Sequence, residues 1–212
     1  MPQSRAITHK HLMLATAARE PFDRAGWIYE LKLDGFRCLA VKEAASVRMI
    51  SRRGNPLEPC FPEIVRCLLD LTPKRLVLDG ELVVLDEAGK PDFDRLCRRA
   101  RTKKRLDVEH AARSDPAALF VFDLLVVGNR DVRKLPLLKR KELLQDVLDG
   151  SQRVRAVQYI GEQGQRLFDS ACQLQFEGIM AKKAHAPYTT GRSRDWLKIC
   201  TPAGRDVQEE EV

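Results

Sequence analysis

Residues 118–127 read ALFVFDLLVV, and this stretch limits the fold more than any other part of the chain. It is apolar throughout except for Asp123. Ten residues are far short of the roughly 18 needed to span a bilayer as a helix. An apolar run of this length reads as a buried strand. A carboxylate in the middle of such a strand needs a partner if it is buried.

The pattern around this run is strand-rich. Residues 27–33 (WIYELKL) read as a strand, and 36–41 with 46–51 as a pair of strands after the bend that Gly35 permits. Residues 76–85 (LVLDGELVVL) read as two short strands around an Asp79-Gly80 turn, and 86–89 as the next turn. Residues 178–183 and 196–199 read as further strands. Helical spacing of apolar residues marks 62–71, 136–148 and 165–176, and 93–101 also reads as helical. Pro136 suits the start of its helix, which places Leu137, Leu144 and Leu148 on one face. Strands mostly follow strands, with helices interspersed. The expectation is an α+β fold of antiparallel sheets flanked by helices, in one domain over 1–200. Residues 201–212 read as a polar, frayed C-terminal tail.

Apolar residues make up 44% of the 212 and charged residues 32%, which excludes disordered and collagen-like classes. The start of the chain has no sustained apolar core, so a cytosolic location with no membrane contact is expected. The six cysteines form no C-x-x-C pair and read as free thiols in a reducing compartment. The net charge of +7 suits a polyanionic partner. Seven basic residues fall between Arg95 and Arg105, a run that reads either as a solvated face or as a contact to a DNA backbone.

The sharpest chemical signal is Glu30-Leu31-Lys32-Leu33-Asp34-Gly35-Phe36-Arg37. A lysine acts as a covalent nucleophile only as the neutral amine. A site using it must therefore favour loss of its proton, by burial or by nearby positive charge. Alone, K-x-D-G is a weak signal, and a surface lysine in a turn satisfies it. Further pieces follow in order: Ser51-Arg52-x-Gly54, Asp79-Gly80-Glu81, Phe122-Asp123-Leu124, Glu177-Gly178 with Lys182, and Trp196-x-Lys198.

In this order and spacing the chain resembles the covalent nucleotidyltransferases, the group of ATP-dependent DNA ligases, RNA ligases and capping enzymes. It looks most like the adenylation domain of an ATP-dependent DNA ligase, and within that group like the ligase module of bacterial non-homologous end-joining ligases. The likeness runs from about Met13 to Cys200 and is densest over 21–37 and 191–199. It implies a nucleotidyltransferase fold and roles for single residues. Lys32 would attack the α-phosphate of ATP, with Lys182 and Lys198 facing that phosphate. Glu30 would help read the adenine edge, Phe122 would stack on the base, and Arg37 and Glu81 would hold the ribose. Glu177 would ligate Mg²⁺ or Mn²⁺. Arg52 and Arg53 would contact DNA phosphates. Each position also has a plainer reading: Phe122 as core, Glu81 in a local pair, Glu177 as the end of a helix.

The resemblance implies nicked or broken double-stranded DNA, in a bacterial cytosol or nucleoid, and ATP as partners; a monomer is expected because no coiled coil or long exposed apolar helix is apparent. Two departures stand out. The family's W-x-K-x-K strand here ends in Cys200, so a neutral thiol replaces its second lysine. The oligonucleotide-binding barrel of most such ligases is not expected within this chain, and a repair protein supplying it in trans is one reading. Two further functions stand beside sealing of DNA: RNA ligation or capping by the same chemistry, and a weakly catalytic or non-catalytic DNA-binding repair accessory protein.

Overall fold

A computed structural model describes residues 7–204. In chain order the elements are β1 (Met13–Ala17), β2 (Trp27–Lys32), β3 (Phe36–Glu43), β4 (Ser46–Ser51), α1 (Pro62–Asp70), β5 (Arg75–Val84), α2 (Phe93–Arg101) and α3 (Arg105–Ser114). They continue with β6 (Ala117–Val127), β7 (Arg130–Asp131), α4 (Leu137–Leu148), β8 (Val154–Ala156), β9 (Tyr159–Gly161), α5 (Gly164–Gln173), β10 (Gly178–Lys183) and β11 (Gly191–Cys200).

Two sheets result. One has the order β1-β11-β10-β2-β9 and the other β4-β3-β5-β6-β7, with β8 on β6. Most pairings are antiparallel, but β1 runs parallel to β11 and β8 parallel to β6. The expected antiparallel sheets form, with two parallel pairings added, within an α+β fold.

The layers follow from alternation along the strands. On β5, Leu76, Leu78, Leu82 and Val84 join the cluster that includes Ile64 and Leu68 of α1, Leu96 of α2 and Leu144 and Leu148 of α4. The intervening residues Val77, Asp79 and Glu81 point the other way, toward the first sheet. Trp27, Tyr29, Ile179, Ala181 and Ile199 of the first sheet pack under α5. A third cluster joins the sheets face to face: Leu39, Val41, Val77 and Leu125 meet Met13, Tyr188 and Trp196. The fully buried Trp196 contributes about 2–3 kcal/mol of apolar burial to this contact.

The expected turn at Asp79-Gly80 does not form; β5 is one continuous strand. A Cβ on Gly80 would stand 2.7 Å from the Phe120 carbonyl oxygen and 3.1 Å from Val121 Cα. Glycine here admits a close approach of β6, not a reversal of the chain. The β5–β6 register shifts twice, leaving Phe122 and Leu125 as extra residues opposite Asp79–Gly80 and Val77–Leu78. Such bulges re-aim side chains, and here both residues join the cluster between the sheets. Helix α3 and strands β1, β7, β8 and β9 were not anticipated from sequence patterning. α3 has a weak apolar stripe, burying only Val108 and Ala112, and the short edge strands carry little periodicity.

The domain also runs past residue 200. Thr201 is buried; its amide donates to the Glu177 carbonyl at 3.1 Å and its hydroxyl to the Phe176 carbonyl at 2.7 Å. Residues 201–204 thus pack under Glu177, and only 205–212 of the expected tail lie outside the described residues. All six cysteines are free. No helix among the described residues is long and apolar enough to cross a membrane.

Candidate active site

Strand alternation gathers the motif residues between the two sheets. Glu30 and Lys32 share one face of β2, with Met180 and Lys182 beside them on β10 and Trp196 and Lys198 on β11. The register sets them in rows: Lys32–Gly178–Cys200, then Glu30–Met180–Lys198, then Ile28–Lys182–Trp196. The facing sheet presents Arg37, Asp79, Glu81 and Phe122.

Lys32 ends β2, and its ammonium forms an ion pair with Glu177, which stands immediately before β10. The two side chains are 22% and 9% exposed, so the lysine side is partly open while the Glu177 Oε2 it meets is buried. Gly35 lets the following loop lie against β5: a Cβ there would stand 2.8 Å from Val83 Cγ1 and 3.1 Å from Glu81 Cγ. This close approach places Glu81 beside Lys32. Burial pushes the Glu81 carboxyl up to about 8; Lys32 and Arg37 pull it down, while Asp79 and Glu177 add to the rise.

Arg37 is held from three sides. Its Nε and Nη2 donate to the two oxygens of Asp79 at 3.0 and 2.7 Å, and Nη2 also donates to the Met13 carbonyl at 2.7 Å. The Tyr188 hydroxyl donates to Asp79 at 2.6 Å and accepts the Met13 amide at 2.9 Å. Burial, then the Asp79 carboxylate, pushes the Tyr188 phenol well above its usual range. Asp79 and Tyr188 were not singled out as site residues from sequence. The carboxylate of Asp79 lay in the motif, but the tyrosine carries no local signal.

Two expected roles meet a different geometry. The sequence reading puts Glu30 at the adenine edge and Lys182 at the phosphate; in the fold these side chains are joined to each other. Lys182 Nζ lies 2.6 Å from Glu30 Oε2, and Lys141 Nζ of α4 lies 2.5 Å from Oε1. All three residues are buried. Burial alone would raise the Glu30 carboxyl, but Lys141 and Lys182 more than offset this and hold it below its ordinary value. Lys182 starts four residues along β10 from Gly178, the partner of Lys32, a rise of roughly 13 Å. Its ammonium lies over Phe122 at 4.5 Å and Trp196 at 4.2 Å. Phe122 also meets Trp196 edge-on and has the Arg37 guanidinium 5.4 Å from its centroid.

Asp123 finds the partner its burial requires: Arg140 donates to both its oxygens at 2.7 and 2.8 Å. Arg52 and Arg53 are exposed on the turn after β4. Of the basic run, Arg99 is buried against Glu63 and Arg95 pairs with Glu87, while Arg98, Arg101, Lys103, Lys104 and Arg105 are exposed. The run is thus partly structural. Among the described residues, no group of three or more His, Cys, Asp and Glu side chains is placed to hold a metal alone. Mg²⁺ needs less, since it is commonly held by one or two carboxylates with water and phosphate oxygens. Glu177 fits that demand.

A family model described as the ATP dependent DNA ligase domain matches residues 12–200. The chain belongs to this family. The ligase domain is 34% identical over 188 residues to the multifunctional non-homologous end joining protein LigD of Pseudomonas aeruginosa, covering 88% of this chain and 21% of that one. It is 31% identical over 188 residues to the SPbeta prophage-derived DNA ligase-like protein LigB of Bacillus subtilis, covering 88% and 66%. Its fold is similar to that of mycobacterial DNA ligase D complexed with ATP and MES, with a TM-score of 0.72 and 27% identity over 90% of this chain and 60% of that chain. The ligase domain thus spans less than two thirds of these relatives.

Proposed function

We propose that this domain carries the adenylylation centre of an ATP-dependent DNA ligase, with Lys32 as the residue that receives AMP. The observation that carries this reading is the Lys32–Glu177 pair, set beside Glu81 at the solvent-reachable end of the cleft. The Lys32 nitrogen attacks the α-phosphorus of ATP; a P–N bond forms, the bond to the bridging oxygen breaks, and pyrophosphate leaves. AMP then passes to the 5′-phosphate at a nick, and the 3′-hydroxyl displaces it to seal the strand. Glu81 and Arg37, the latter aimed by Asp79 and Tyr188, address the ribose. Phe122 and Met180, on opposing faces of the cleft, supply its apolar walls. Lys198 stabilises charge developing on the phosphate. Glu177 would hold Mg²⁺ or Mn²⁺, which would supply positive charge to neutralise phosphate oxygens and compete with Lys32 for the carboxylate. Arg52 and Arg53 contact the DNA backbone. Lys182 and Glu30 serve as a buried ion pair behind the base. The domain acts as a monomer in the cytosol.

The test is incubation with ATP labelled at the α-phosphate and a divalent cation. Label should join the wild-type polypeptide and be absent from Lys32→Ala; an unlabelled wild type, or equal label on both, defeats the reading.

Cys200 supports a narrower second reading, in which the domain seals pre-adenylylated nicks faster than it charges itself. Its thiol stands in the Lys32 row with only Gly178 between them, where the family carries a lysine. Cys200→Lys should speed self-adenylylation by roughly 3- to 10-fold, an added fixed charge near the phosphates being worth about 1 kcal/mol. Sealing of a pre-adenylylated nick should change less, and an unaltered charging rate would dismiss this reading.

A further inference from the structure

Helix α4 buries Leu137, Arg140, Lys141, Leu144 and Leu148 on one side. Three leucines there are ordinary core. The two cations are not: desolvating an ammonium or guanidinium costs more than burying an apolar side chain of similar volume. What they add is direction, since an ion pair fixes atoms that apolar contact leaves free to slide.

The two side chains reach different sheets. Arg140 grips Asp123, the residue after Phe122 on β6, and donates to the Ala186 carbonyl at 3.0 Å in the segment between β10 and β11. Lys141 grips Glu30 on β2 and lies 5.4 Å from the Tyr159 ring on β9. From Glu30 the contacts continue to Lys182 and from there onto Phe122 and Trp196. Consecutive residues of one helix therefore tie together the strand that ends in Lys32 and the strand that carries Phe122.

We infer that Lys141 is a positioning residue for the nucleotide: through Glu30 it sets the spacing between the β2–β10 wall and the Phe122 wall of the cleft. This rests on the adenylylation reading above. It assigns Lys141 an effect on how tightly ATP is held, and none on the attack by Lys32, whose pair with Glu177 lies at the far end of the same strand face.

The experiment measures self-adenylylation of the full chain against ATP concentration for wild type, Lys141→Met and Lys141→Arg, with urea unfolding of each. Lys141→Met should raise the half-saturating ATP concentration about 10-fold, as expected for one lost charged contact, with a limiting rate within about 3-fold of wild type. Lys141→Arg, whose guanidinium can still reach Glu30, should recover most of that loss. A Lys141→Met chain with wild-type ATP dependence overturns the inference. So does an equal loss in both variants, which would mark a purely steric role. If Lys141→Met fails to fold, Glu30→Gln/Lys141→Met replaces it, with the same rise expected and a wild-type value again fatal. An unlabelled wild type defeats the adenylylation reading and this inference together; a labelled wild type with unchanged variants defeats this inference alone.

Discussion

Two lysine–glutamate pairs stand on the same face of the first sheet, and they differ in nearly everything but composition. Lys32–Glu177 sits where β2 ends and a loop begins, partly exposed on its lysine side. Lys182–Glu30 is 1% and 2% exposed, roofed by Phe122 and Trp196 and joined by a second lysine from α4. A pair at the mouth of a cleft can exchange partners when a ligand arrives. A sealed pair cannot, because opening it strands a charge in a medium that does not solvate it. On the proposed adenylylation reading, chemistry falls to the first pair and geometry to the second.

The largest effect should come from breaking the sealed pair. Glu30→Ala leaves Lys141 and Lys182 facing each other without an anion, and urea unfolding should show a loss of about 3–5 kcal/mol. Lys32→Ala, which removes the open pair, should cost less than about 1 kcal/mol while abolishing label. Equal losses would erase the distinction between the pairs.

Next in size is a pH effect at Glu81. Its carboxyl titrates at about 8 in the fold, against an ordinary 4.5. Between those values the folded protein keeps a proton that the unfolded chain has released, so stability falls as pH rises through this window and levels above it. Allowing for its partial exposure, the drop between pH 5 and 8 should be on the order of 2 kcal/mol. Thermal unfolding of the nucleotide-free protein across that range checks this, and Glu81→Gln should flatten the dependence. A flat wild-type curve would show that Lys32 and Arg37 already hold the carboxylate ionised.

The smallest effect is at the exposed arginines. Arg52→Ala/Arg53→Ala should weaken nicked-DNA binding several-fold and lower the salt slope by about 2, without changing self-adenylylation. An unchanged slope would remove the turn after β4 from the DNA contact.

Much of this was legible because the chemistry is written in short local strings. Lys32, Glu81, Phe122, Glu177 and Lys198 were named through the family resemblance those strings carry, and the register of β2, β10 and β11 puts Lys32 and Lys198 on one face. Of the long strands, β6 was plain as a continuous apolar run, whereas β11 was legible only over 196–199. Asp79-Gly80 misled because the dipeptide that favours a turn also suits a strand squeezed by a bulged neighbour. The leucines of α4 were visible as a stripe, whereas nothing in the local sequence marked Arg140 and Lys141 as buried.

The sequence by itself determined most of the longer strands, the helices with strong apolar stripes and the inventory of reactive groups, because those depend on neighbours three or four residues away. Only the tertiary structure decided which lysine would pair with which glutamate. Glu30 and Lys182 are 152 residues apart in the chain, and burial depth, which sets whether a charge is free to react or locked in place, is a property of the assembled sheets and of the helix that ties them together.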